Sequence, residues 1–198
     1  MTCQKLPTGI QTFRKIREGG YCYVDKTGMA VQLAAREMHH FLSRPRRFGK
    51  SLFLDTLAEL FQGNRELFTG LAAETAWDWS IRYPVIRISF GAGEVRDRAE
   101  LDRRLIRQLQ RNAERLGVTC RDATDITHCF IDLIDNAFRH HGQRVVVLID
   151  EYDKPILDNI RRPELAAEIR EALKGFYSVI KDNDAHIRFS FITGVSKF

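Results

Sequence analysis

The amino-acid sequence predicts an α/β protein, a three-layer α/β/α fold around a mainly parallel sheet, and three observations carry that expectation. Residues 145–149 are an unbroken apolar run, Val145-Val146-Val147-Leu148-Ile149, followed by the acids Asp150 and Glu151. A central parallel strand buried on both faces reads this way, whereas a half-exposed strand alternates. Strand-like runs at 39–43, 83–90 and 187–196 are separated by stretches of helical period at 50–62, 95–116, 125–140 and 163–181, the order expected of βαβ units. Finally, 39–43 leads through a basic loop into a helix, a strand-loop-helix unit with Gly49-Lys50-Ser51 at its turn.

In chain order, Leu6-Pro7-Thr8-Gly9-Ile10 is turn-like, and a short segment at 13–18 stops at Gly19-Gly20. Asp25 or Thr27 can cap a helix running through Gln32 to Glu37. Phe13, Tyr21 and Tyr23 read as core aromatics, with the alternative that one of them stacks on a bound base. In the helix at 50–62, Leu52, Phe53, Leu57, Leu60 and Phe61 recur at three- and four-residue spacing, as a core-facing helix requires, and Gly63 ends it. Residues 66–79 read as a loop with short helical turns, anchored by the indoles of Trp77 and Trp79.

The strand at 83–90 is rich in β-branched and aromatic residues and closes at Gly91-Ala92-Gly93. The helix at 95–116 buries Leu101, Leu105, Leu109, Ala113 and Leu116 on one face, with Gly117 as its cap. Its other faces carry Arg96, Arg98, Arg103, Arg104, Arg107, Arg111 and Arg115, interleaved with Glu94, Asp97, Glu100, Asp102 and Glu114. That mixture predicts a solvated face with local ion pairs; the competing reading is a surface that tracks a nucleic-acid backbone. In the helix at 125–140 the apolar set is Ile126, Phe130, Leu133, Ile134 and Ala137, Gly142 stops it, and His140-His141 complement its C-terminal dipole.

A chain of 198 residues is long enough for one good core, so 1–198 is read as one domain. Its 44% hydrophobic and 29% charged residues are those of an ordinary soluble protein. A net charge of +5 and a pI near 9.2 favour anionic partners, nucleotide or nucleic acid. The start lacks an apolar signal region and no apolar run reaches membrane-spanning length, so a cytoplasmic location is expected and a membrane is not among the partners. Cys3, Cys22, Cys120 and Cys129 lack paired C-x-x-C spacing, so reduced thiols are expected rather than a zinc site or a disulfide.

Two stretches carry chemistry. Gly49-Lys50-Ser51 completes the second half of the phosphate-binding pattern G-x-x-x-x-G-K-[ST], while Arg44 stands where the first Gly belongs. Backbone N–H groups from Arg46, Arg47, Phe48, Gly49, Lys50, Ser51 and Leu52, at a loop and helix N-terminus, would converge on phosphate oxygens of ATP. Lys50 would reach the β and γ phosphates and the Ser51 hydroxyl would help hold Mg²⁺. The second stretch is the Walker B pattern at 145–151. Asp150 would hold Mg²⁺ through its water shell, and Glu151 would orient or deprotonate the attacking water. The strand at 187–196 belongs between the other two in such a sheet, and Thr193, or second Ser196, would sense the γ phosphate.

Leu6-Pro7-Thr8-Gly9-Ile10, Tyr23-Val24-Asp25-Lys26-Thr27, Arg44-Pro45-Arg46-Arg47-Phe48-Gly49-Lys50-Ser51, Leu148-Ile149-Asp150-Glu151-Tyr152-Asp153 and Thr193-Gly194-Val195-Ser196 together resemble the prokaryotic AAA-ATPase-like family of P-loop proteins. The resemblance covers nearly the whole chain and makes Arg44 a family-like feature. It implies the P-loop NTPase fold, with 1–38 as an N-terminal segment beside the base. It also implies a C-terminal domain resembling restriction-endonuclease-like nucleases, a fifth strand and a helical lid. None of these follows the sensor strand here, so a truncated chain is expected, with DNA as a partner only through the missing domain and a further copy of the chain as a possible partner. ATP hydrolysis with Mg²⁺ is the leading functional expectation. The competing ones are a nucleotide-binding switch with little hydrolysis and a DNA-binding module using the arginine-rich helix.

Overall fold

The computed structural model describes residues 5–36, 38–120 and 124–196. Its frame is one parallel sheet of four strands, β1 (His39–Ser43), β2 (Val85–Ser89), β3 (Val145–Asp150) and β4 (Ile187–Gly194), in the order β1-β4-β3-β2. The last strand thus inserts between the first and the third, where the sequence reading put it. Alternation along the strands builds the two cores. Ile86, Ile88, Val145, Val147, Ile149 and Ile187 face one side, and Val85, Val146, Leu148, Phe189 and Phe191 face the other.

The first side is covered by α5 (Arg98–Leu116), α6 (Ile126–His141), α7 (Lys154–Asp158) and α8 (Pro163–Asp182). The second is covered by α3 (Lys50–Phe61), with α1 (Phe13–Glu18), α2 (Thr27–Arg36) and α4 (Ala73–Ala76) outside it. Because α3 lies between sheet and outer helices, it is buried nearly all round, and even Asp55, Thr56 and Glu59 lose their solvent. The buried acids have partners. Asp55 accepts the Phe13 N–H at 2.7 Å and pairs with Arg87 of β2, while Glu59 holds Arg14 at 3.3 Å. These contacts bind the N-terminal segment to the sheet.

Local chemistry sets the element ends. Asp25, rather than Thr27, caps α2 by accepting Thr27 N–H and Oγ1–H at 2.8 and 2.7 Å; Glu37 lies outside the described residues. Asp97 accepts Glu100 N–H, so the arginine-rich helix starts at Arg98 rather than at Val95. Gly117 and Gly142 end α5 and α6 in the left-handed conformation. The segment after α3 contains short turns with Trp79 donating to Glu74 O at 2.9 Å, as expected. Helix α7 follows the acids of β3 without having been foreseen.

One reading is corrected. Cys120 and Cys129 form a disulfide with their Cα atoms 5.1 Å apart, because the packing of α6 against α5 brings the two together; a nine-residue separation gives no local signature in sequence. Cys3 lies outside the described residues. His140 and His141 lie in the last turn of α6, as expected, and His141 Nε2–H also donates to Leu116 O, 3.1 Å away at the end of α5, which ties the two helices together. Phe13 is fully buried against Phe68 and Tyr23, a core aromatic as expected, and is closed to any ligand. Among the described residues, no helix is long and apolar enough to cross a membrane.

Candidate functional site

The carboxyl ends of the strands turn polar on the α3 side. Ser89, Asp150 and Thr193 each continue the alternation that puts Val85, Leu148 and Phe191 on that face, and the register pairs Ser89 with Asp150 and Leu42 with Thr193. Thr193 donates its Oγ1–H to Asp150 Oδ1 and accepts the Glu151 N–H at 3.2 Å, and its carbonyl accepts the Tyr152 N–H at 2.9 Å. A buried threonine therefore fixes both acids to the neighbouring strand.

The basic loop hangs from the same strand end. Arg44 N–H donates to Gly194 O at 3.2 Å and Ser43 Oγ to Val195 O at 2.9 Å. From the start of α3, the Lys50 side chain turns back across the loop, donating from Nζ to Arg44 O at 2.9 Å and Pro45 O at 3.1 Å; it is only 7% exposed. Gly49 takes φ 75° with open space where a Cβ would stand, leaving its backbone accessible. Arg47, at φ 67°, is the other left-handed residue of the loop, and Arg44 is not left-handed. Position 44 therefore needs no glycine, which explains why an arginine is accommodated there.

A cavity of about 500 Å³ opens beside this loop, and Arg47, Gly49, Lys50, Ser51, Leu52 and Glu151 line it. Thr8, Gly9, Ile10 and Gln11 of the N-terminal turn close its other side. An adjoining recess of about 250 Å³ has Ser51 and Asp150 in its wall, together with Asp55, Arg87, Ser89 and Gln108. A third, of about 220 Å³, is apolar and is framed by Leu6, Pro7, Tyr23, Val24, Leu52 and Phe53. Tyr23 is held by its hydroxyl against Thr56 Oγ1 at 3.4 Å, and burial raises its phenol above the usual range.

Lys50, Ser51, Asp150, Glu151 and Thr193 thus come to one end of the sheet from three distant segments. Arg46 and Phe48 do not line the cavity; Phe48 is 63% exposed on the loop. Ser196 goes elsewhere, donating its Oγ–H to Asp153 Oδ2 at 2.6 Å. Asp153 also accepts the N–H groups of Val195 and Ser196 at 2.8 and 2.7 Å. It is a buried anchor of the β4 end that sequence reasoning passed over, although its place in Asp150-Glu151-Tyr152-Asp153 was the available signal. Glu151 itself is held at φ 55°, a left-handed conformation unusual for a residue with a side chain. Its carboxylate lies over Gly91, where a Cβ would meet Oε2 at 3.3 Å.

Among the described residues, no group of three or more His, Cys, Asp or Glu side chains could by itself hold a metal. Ser51 and Asp150 put two oxygen donors in the wall of one recess.

A relative from Azotobacter chroococcum mcd 1, described as an uncharacterized protein in the vnfD 5′ region, is 59% identical over 199 residues. The match takes in all of this chain and 38% of the relative, so the chain spans well under half of that protein's length. No solved structure matches. The family described as Predicted AAA-ATPase, AAA-ATPase-like, matches residues 7–198, and the chain belongs to it.

Proposed function

We propose that the chain binds ATP in the cavity between the N-terminal turn and the Gly49-Lys50-Ser51 loop and hydrolyses it. One observation carries this reading: Glu151 and the Lys50-Ser51 pair, which lies about a hundred residues before it, line one cavity of about 500 Å³ beyond the carboxyl ends of a parallel sheet, where ligands of open α/β sheets bind. Backbone N–H groups at the start of α3 and the Lys50 ammonium hold the phosphates. Lys50 exchanges its bonds to the Arg44 and Pro45 carbonyls for phosphate oxygens. The apolar recess at Tyr23, Leu6 and Pro7 adjoins Gly49 and takes the base.

Ser51 and Asp150 share the adjoining recess and would hold Mg²⁺. When bound, Mg²⁺ neutralises charge on the β and γ phosphate oxygens. Glu151 then orients the attacking water and accepts its proton. Thr193 acts as a positioning residue in this arrangement, because its hydroxyl bridges Asp150 and the Glu151 backbone.

Isothermal titration with ATP and Mg²⁺ tests binding. The intact chain should bind and Lys50→Ala should not; equal binding by both would exclude this cavity as the phosphate site. Phosphate release tests chemistry. Glu151→Gln should keep binding and lose at least about a hundredfold in turnover, the usual contribution of a positioned general base; unchanged turnover would remove Glu151 from that role.

A further inference from the structure

The Ser51 and Asp150 recess has neighbouring hollows. A groove of about 530 Å³ lies along α5, walled by Ser89, Arg104, Arg107, Gln108 and Arg111 over an apolar floor that includes Phe90. A smaller hollow of about 190 Å³ follows, with Arg87, Arg111, Asn112 and Arg115 at its sides. Gln108 belongs to the wall of all three, so the hollows neighbour one another along α5.

Charges along these hollows divide in two. Towards the start of α5 the acids are engaged: Asp97 caps the helix, Glu100 accepts from Arg96 N–H and Arg104, Asp102 holds Arg98 at 2.7 Å, and Glu94 holds Arg162 at 3.3 Å. Further along, Arg87 is paired with Asp55, and Arg115 donates to Val85 O and Asn112 Oδ1 at 2.7 and 2.6 Å. The exposed guanidinium groups of Arg107 and Arg111 make no hydrogen bond or ion pair among the described residues: Glu114, the acid nearest Arg111 in sequence, pairs with neither, and Asp102, the acid nearest Arg107, holds Arg98.

Arg107 and Arg111 stand one turn apart, about 6 Å along the helix axis, on the lip of a concave groove. Guanidinium forks grip phosphate oxygens bidentately. A single small anion would need one such fork in an enclosed site. A line of forks above an open, apolar-floored groove instead suits a chain of phosphates, the arrangement by which single strands are tracked. The chain's net charge of +5 has the sign that draws such a polyanion in.

We propose that the α5 groove at Arg107 and Arg111 binds the sugar–phosphate backbone of a nucleic-acid strand. The site is separate from the Lys50 cavity and needs no nucleotide there.

Fluorescence anisotropy of a labelled oligothymidylate, titrated with the full chain without nucleotide over a series of NaCl concentrations, tests it. Binding should weaken as salt rises. Arg107→Ala with Arg111→Ala should weaken it about tenfold and flatten the slope of log K against log salt by about 1.4, two contacts at about 0.7 each. Each single variant should remove about half of that slope change. Arg103→Ala, exposed on α5 but outside the groove, should change neither quantity. Because both groove arginines are exposed and unbonded, the variants should keep the wild-type far-ultraviolet circular dichroism, which is recorded alongside.

Absence of salt-dependent binding by the intact chain would overturn the proposal, as would a wild-type slope in the double variant. An equal loss from Arg103→Ala would overturn the groove by showing only diffuse charge. Capture of polyglutamate but not oligothymidylate would replace the strand with an acidic protein partner. None of these readings depends on Lys50, so failure of the ATP assignment would leave this test intact.

Discussion

At the scale of single residues, the site holds two side chains where glycine would be more comfortable. Arg47 and Glu151 sit at φ 67° and 55°, a conformation disfavoured for L-residues by about 1–2 kcal/mol. Replacing Arg47 by glycine relieves that strain but adds about 0.5–1 kcal/mol of chain freedom to be lost on folding. The net expectation for Arg47→Gly is a gain of about 1 kcal/mol in a urea unfolding experiment; a loss would mean that the arginine makes a compensating contact. Gly194 presents the opposite case. A Cβ there would stand 2.4 Å from Tyr152 Cε1 and 3.0 Å from Asp153 Oδ1, so Gly194→Ala should destabilise by about 1–3 kcal/mol, as overpacking does.

Asp25 supplies a pH test. Partial burial opposes its charge, but hydrogen bonds from Ala72 N–H and from Thr27 outweigh it and hold the carboxyl below its ordinary range. A carboxyl lowered on folding adds stability above its unfolded pKa and loses it as pH falls through the folded value. Asp25→Asn removes the charge, and its NH2 takes the place of one of two accepting oxygens, Oδ1 for Thr27 or Oδ2 for Ala72 N–H. It should be less stable than the parent at pH 7, with the difference narrowing below about pH 4 to the part due to the lost hydrogen bond; urea unfolding at pH 7 and pH 3 reads the gap, and a gap that does not narrow would assign the whole effect to that bond.

At the scale of elements, α5 shows what sequence could and could not convey. Its buried stripe, its glycine cap and some of its ion pairs were legible, because each depends on residues within a few turns. Its second role was not. β2 is an edge strand, and α5 supplies a row of substitutes for the missing neighbour: Asn112 accepts Arg87 N–H at 2.9 Å and donates to Arg87 O at 2.8 Å, while Gln108 accepts Ser89 N–H at 2.8 Å. Arg115 adds its bond to Val85 O. In sequence these are ordinary polar positions at helical spacing; only the packing of α5 along β2 gives them this use. Asn112→Ala should leave a strand N–H and C=O without partners and destabilise by about 1–3 kcal/mol in urea unfolding, whereas an equally polar site without strand bonds would change little. The disulfide between Cys120 and Cys129 was missed for the same kind of reason, since the packing of two helices sets that distance. The Gly49-Lys50-Ser51 loop and the Asp150 strand end were readable because local chemistry requires those residue types in that order.

At the scale of the whole molecule, the candidate site is where the two halves of the chain meet. The loop and α3 belong to the core on one side of the sheet, with the N-terminal helices packed outside α3, while Asp150 and Glu151 end the strand that also carries the core of α5, α6 and α8. Thr193 fastens that strand end to β4, and Arg44 and Ser43 fasten the loop to the same β4 end. A ligand spanning Lys50 and Glu151 would therefore couple the N-terminal segment, the loop and the central strands, and it would not bind once they separate. By mass action, ATP with Mg²⁺ at a hundred times its Kd should then stabilise the fold by about 2.7 kcal/mol. For a domain of this size that is a rise of roughly 5–11 °C in Tm, at about 2–4 °C for each kcal/mol. Lys50→Ala should lose the rise, whereas Arg107→Ala with Arg111→Ala, outside the cavity, should retain it. A shift of equal size in the Lys50 variant would mean that nucleotide stabilises the chain from somewhere other than this strand end.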